Sequence, residues 1–203
     1  MFSAAFWWVF SSVSADTNGD AITTPETSTQ QETVARPKTP AKALASKAPP
    51  RPAWGVIVTA TLVSVAGLVA LAGIGEGMDR VVLIPPLAAS AALVYGAPGL
   101  PLSQPRSVIG GQFLSALTGF VVLWIAGGSV WGAAVAGGLA LGVMQMARTP
   151  HSPAAATAVI VVATNPEAAV FLPLLVLATV VLVLFGIIAG RTPAGSRYPA
   201  YWW

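Results

Sequence analysis

The sequence predicts an all-α polytopic membrane protein with about six transmembrane segments, two of them short and interrupted by proline. Three observations carry this. The 203-residue chain is 55% hydrophobic and only 8% charged, with mean hydropathy +0.75, whereas a soluble domain carries about 25% charged residues. Several apolar runs reach the ~20 residues that a helix needs to cross a bilayer core. Two short stretches, Ile84-Pro-Pro-Leu-Ala-Ala-Ser-Ala91 and Arg148-Thr-Pro-His-Ser-Pro-Ala-Ala-Ala-Thr-Ala158, share one build: aligning Pro86 with Pro153 pairs Ser90 with Thr157 and Ala91 with Ala158.

The net charge is +3, but the positive residues sit beside apolar segments, which points to a membrane surface and away from nucleic acid. There is no cysteine. That excludes disulfides, thiolate nucleophiles and Cys-based metal sites.

Residues 1–13 form a short aromatic patch. It is either a signal peptide, with small residues at Val13-Ser14-Ala15 for cleavage, or an interfacial or partner-contacting segment. The absence of Lys or Arg before it favours the second. Residues 14–33 are polar, and 35–53 are a Pro/Ala/Lys linker with Arg36, Lys38, Lys42, Lys47 and Arg51. Such a composition cannot bury enough surface to offset its ordering entropy, so 14–52 reads as a disordered tether. The expected organisation is 1–53 patch and tether, 54–191 transmembrane domain, and 192–203 aromatic C-terminal tail.

Within the membrane part, segment one is 54–73, followed by a polar loop with Glu76, Asp79 and Arg80. Segment two, 81–97, is broken by Pro85-Pro86; the useful helix starts near Pro86, where proline suits a first turn. The loop 98–105 is rich in Pro and Gly. Segment three is 107–126, Gly127-Gly128-Ser129 turns the chain, and segment four is 130–147. Segment five, 153–163, is short; Asn165-Pro166-Glu167 turns again, and segment six is 168–189. Gly128/Gly132 and Gly138/Gly142 have the Gly-x-x-x-Gly spacing of close helix packing. Trp54, Trp131, Trp202 and Trp203 suit an interfacial belt, whereas Trp124 lies within segment three.

If all six segments cross, one side receives nine of the ten Lys and Arg, and the other receives only Arg80. The positive-inside rule then places both termini in the cytoplasm. Making segments two and five re-entrant would move Arg106 and Arg148 to the other side, so six crossings are expected. Segments one to three and four to six repeat the same order: full helix, short Pro-started helix, full helix. With an odd number of crossings per unit, this is a 3+3 inverted repeat, and paired broken helices mark the substrate site of a transporter. Broken backbone at membrane depth is tolerated only in a cavity or inside protein.

The candidate site residues follow from that placement. Arg148 and Arg106 offer guanidinium forks to a small anion, or simply anchor the cytoplasmic face. His151, the single histidine, either donates to an anion or caps a helix start at the interface. Ser90 and Thr157 supply hydroxyls one turn into the two short helices, or pack them with back-bonds to carbonyls. Gln112 and Gln145 read as interhelical hydrogen bonds. No carboxylate lies inside a full crossing, and one histidine without cysteine does not make a common zinc site. No enzyme activity, cofactor or metal is therefore predicted.

Pro101-Leu-Ser-Gln-Pro-Arg-Ser-Val-Ile-Gly-Gly-Gln-Phe-Leu-Ser-Ala-Leu-Thr-Gly119, together with residues 148–158, resembles the HPP family of integral membrane proteins over about 54–191. The resemblance implies a small multi-pass domain and, from plastid and cyanobacterial relatives, nitrite transport. As a bacterial member, the chain would sit in the inner membrane. It departs from the family pattern twice: His-Pro-Pro becomes His151-Ser152-Pro153, and Gly-Gly-His becomes Gly110-Gly111-Gln112. Two functions are expected from the sequence. One is transport or channelling of a small inorganic anion. The other is a non-transporting subunit of a larger membrane complex or homo-oligomer, held through the N-terminal tail and the aromatic termini.

Overall fold

The computed structural model describes residues 50–193 and 195–202. The patch and nearly all of the tether therefore lie outside the described residues. Among the described residues there are six α-helices and no strand: α1 Trp54–Gly77, α2 Pro85–Gly96, α3 Pro105–Ala126, α4 Val130–Met146, α5 Ser152–Thr164 and α6 Ala168–Gly190, with a 3-10 turn at Pro101–Ser103. Helices α1, α3 and α6, of 24, 22 and 23 residues, are long and apolar enough to cross a membrane. At ~1.5 Å per residue each exceeds the ~30 Å hydrocarbon core. Helices α2 and α5, with 12 and 13 residues, fall well short of it.

The helix ends follow local chemistry. Helix α1 runs past the expected 73 and carries Glu76 on its last turn, ending where Asp79 takes φ 51°. Helices α2, α3 and α5 each have proline in the first turn, where the missing N–H costs nothing. Gly127 reverses the chain at φ 68°, a left-handed conformation open to glycine. Ser129 then caps α4, its Oγ accepting from Gly132 N at 3.0 Å. Asn165, at φ 46°, ends α5.

Helix α3 packs against α4, α5 and α6; α4 and α5 pack on each other; α1 and α2 pack together and against α6. Close approach makes the α3–α5 contact. A Cβ on Gly119 would lie 2.8 Å from the Ala158 carbonyl oxygen, and one on Gly111 would lie 2.7 Å from His151 Cβ. Ala133, Ala136 and Ala140 bring α4 against the same group, as small residues do where lipid removes the hydrophobic drive between helices. Outward, α1 exposes Val58, Leu62, Val65 and Val69 along one stripe, a surface suited to lipid.

One expectation needs correction. Gly128 and Gly132 abut Val162 of α5, but Gly138 and Gly142 have nothing within 4 Å of an added Cβ. That pair faces outward from α4 and packs on no other helix among the described residues. The C-terminal segment folds back onto the helices: Tyr198 is 6% exposed, with its ring over Gly186 and its backbone over Gly190. Burial pushes the Tyr198 phenol pKa upward, keeping it neutral. Gln104 Oε1 accepts from Ala200 N at 2.9 Å, while its Nε2 donates to the Pro98 and Leu100 carbonyls.

These bonds bring the loop before α3, the α4–α5 loop and the C-terminal segment to one end, where Arg106 Nη2 donates to the Ala147 carbonyl at 3.0 Å. The α1–α2 and α5–α6 loops meet at the other end.

Candidate functional site

The two proline-started helices place their small polar residues in one buried chain. Thr157 Oγ1 on α5 donates to Gln112 Oε1 on α3. Gln112 Nε2 donates to Ser90 Oγ on α2 at 3.0 Å. Ser90 Oγ lies 2.8 Å from His151 Nε2, at the start of α5. His151 Nδ1 lies 2.7 Å from the Leu102 carbonyl. All four side chains are at most 1% exposed. Gln112 is seven residues into α3, so the chain sits ~10 Å below that end of the helix. Ser90 and Thr157 come together through Gln112, which bonds to both.

The proton count in this chain is informative. A carbonyl only accepts, so His151 Nδ1 carries a hydrogen. Ser90 Oγ accepts from Gln112 and has one hydrogen for two acceptors, His151 Nε2 and the Pro86 carbonyl 2.9 Å away. With neutral imidazole, Ser90 donates to Nε2. With imidazolium, Nε2–H donates to Ser90, which then donates to Pro86. Either protonation state fits without moving a heavy atom. Ser115 Oγ, three residues after Gln112, and Thr149 Oγ1, two residues before His151, are buried hydroxyls with no hydrogen-bond partner.

The arginines gather elsewhere. Arg106 and Arg148 line one cavity of about 380 Å³ together with Ser107, Gln145 and Tyr201. Among the described residues, no carboxylate belongs to its wall. Arg148 is exposed at φ 57°, and Arg106 is half-buried, held by its bond to Ala147. His151 is absent from this wall; it faces inward, behind the 3-10 turn. The expected set thus divides into an outer pair, Arg106 and Arg148, and an inner trio, Ser90, Thr157 and His151. Gln112 is the hub of the inner group and makes the interhelical hydrogen bonds expected of it. Its partners were hidden because a lone glutamine in an apolar helix carries no sign of what it bridges. Gln145, also read as an interhelical bond, lines the outer cavity.

A model of the HPP transmembrane region matches residues 49–199. The chain belongs to the HPP family. The match passes the expected boundary at 191 and includes Tyr198, consistent with the folding-back of the C-terminal segment. A transmembrane protein of Dictyostelium discoideum is 34% identical over 170 residues, covering 77% of this chain and 59% of that protein. A second transmembrane protein from the same organism is 28% identical over 134 residues, covering 62% of this chain and 43% of its own length. The chain thus spans about half the length of the curated relatives it matches. No solved structure matches it. Family and apolar helices together make this an integral membrane protein. Gln112 is the bridge between the two short helices.

Proposed function

We propose that this HPP protein moves a small inorganic anion of the nitrite type across a membrane. The observation that carries the reading is the convergence of Arg106 and Arg148 on one cavity, with no carboxylate in its wall among the described residues. Guanidinium groups bind a planar oxyanion through two parallel N–H donors, and a wall of one charge sign raises the local anion concentration. Beneath lie Ser90, Gln112, Thr157 and His151, donors that now satisfy one another. The Thr149 and Ser115 hydroxyls add two unengaged groups nearby. An anion passing inward exchanges these mutual bonds for bonds to itself, without a full charge of the protein buried in hydrocarbon. In this reading all six helices cross, the two short ones with the help of the loops before them. Both termini are cytoplasmic, in a bacterial inner membrane. No covalent chemistry or cofactor is needed.

Nitrite uptake into liposomes holding the purified protein tests this. Arg148→Ala and His151→Ala should slow uptake, and Thr157→Val should slow it with little loss of folded protein. Background flux with intact, folded protein removes the reading.

A second reading, a non-transporting subunit of a membrane complex or homo-oligomer, is favoured by one feature. Among the described residues, nothing covers the outward Gly138/Gly142 face of α4, whose small residues allow close helix contact.

A further inference from the structure

At the end of the bundle opposite Arg106 and Arg148 lies a cavity of about 200 Å³ that the anion path does not use. Its floor is apolar: Val82 and Ile84 from the α1–α2 loop, Phe171 and Leu174 from the first turns of α6. Two charges of opposite sign, Arg80 and Glu167, stand in its wall, and both are exposed. Among the described residues they are not joined in an ion pair.

The walls are set by backbone. Arg80 N donates to the Gly75 carbonyl at 2.9 Å. A Cβ on Gly75 would meet the Arg80 carbonyl oxygen at 2.6 Å, so only glycine lets the Arg80–Val82 strip lie on α1. On the other side, Asn165 at φ 46° and the following Pro166 direct Glu167 to the start of α6. Both charges are therefore held on short, preformed turns above an apolar floor.

We propose that this cavity binds a zwitterionic amphiphile: an anionic oxygen group at Arg80, a primary ammonium at Glu167, and an apolar body over Phe171 and Leu174. Arg80 donates paired N–H bonds to the anion, and Glu167 accepts from the ammonium. The volume fits a ligand smaller than a drug-sized molecule, for which pockets are about 300–1,000 Å³, or the upper part of a longer one whose tail continues into lipid. Two sources share this chemistry, the headgroup region of an aminophospholipid and a free apolar amino acid.

The test is binding to the full-length protein in detergent, followed by native mass spectrometry and thermal shift. The probes are phosphatidylethanolamine, phosphatidylglycerol and leucine. Arg80→Gln and Glu167→Gln change exposed side chains and should leave the fold intact. Each should weaken binding about tenfold, as expected for one lost charge-assisted hydrogen bond. Leu174→Trp should fill the cavity and abolish binding. Phosphatidylethanolamine binding with this pattern identifies a lipid site; leucine binding with this pattern identifies a free-ligand site. Binding of neither phosphatidylethanolamine nor leucine, or binding indifferent to all three substitutions, overturns the proposal. So does phosphatidylglycerol binding that depends on Arg80 but not on Glu167, which marks a plain anion site.

Discussion

Ser90 of α2 and Thr157 of α5 hold the two ends of one amide: Gln112 accepts from Thr157 and donates to Ser90 at 3.0 Å. The two hydroxyls are paired by aligning Pro86 with Pro153, and the amide comes from the long helix α3.

Gln112→Leu should cut this bridge while keeping much of the side-chain volume. The expected cost is about 1–2 kcal/mol, the upper range for interhelical hydrogen bonds in membranes. A lowered unfolding midpoint in detergent checks it. An unchanged midpoint would mean that the bridge contributes nothing to holding α2, α3 and α5 together.

Gly119→Val should be far more damaging than Gly138→Val. The first drives a side chain into the Ala158 backbone of α5, whereas the second meets open space. Overpacking of this kind costs roughly 1–3 kcal/mol or more. Yield and midpoint of the monodisperse protein measure the difference. Gly138→Val should leave both within the small range of ordinary surface changes. Loss of a larger assembly in that variant, with the fold intact, would favour the complex-subunit reading.

Six crossings with cytoplasmic termini predict that cysteine at Ser14 resists an impermeant thiol reagent in intact cells while cysteine at Gly77 reacts. Gly77 has open space around it, so the probe should not disturb packing. The reverse labelling pattern contradicts the orientation.

Helix number and order were legible because each helix is a plain apolar run marked by Pro, Gly or Asn at its ends. The start of α2 at the Pro85-Pro86 pair follows from proline's missing donor alone. Ser90 and Thr157 were legible as hydroxyls in two similar Pro-started stretches, but their shared partner was not. Gln112 and Gln104 act over long sequence distances, to Thr157 and to Ala200, and no local pattern encodes such contacts. Gly138/Gly142 misled for a related reason. Glycine spacing shows that a helix can be approached closely, not from which side or by what. The inward turn of His151 was also hidden: composition places a histidine near a helix start, and only the fold sets Leu102 and Ser90 on either side of its ring.

The central claim is that Arg106 and Arg148 admit a small anion. Nitrite flux into proteoliposomes, comparing the unmutated protein with Arg148→Ala, tests it most directly, because exposed Arg148 can be truncated with the Arg106–Ala147 bond left in place. The account predicts flux well above empty liposomes and a drop of about tenfold in the variant, the effect of one lost charge-assisted contact. Flux at background, or equal flux in both folded proteins, would contradict it.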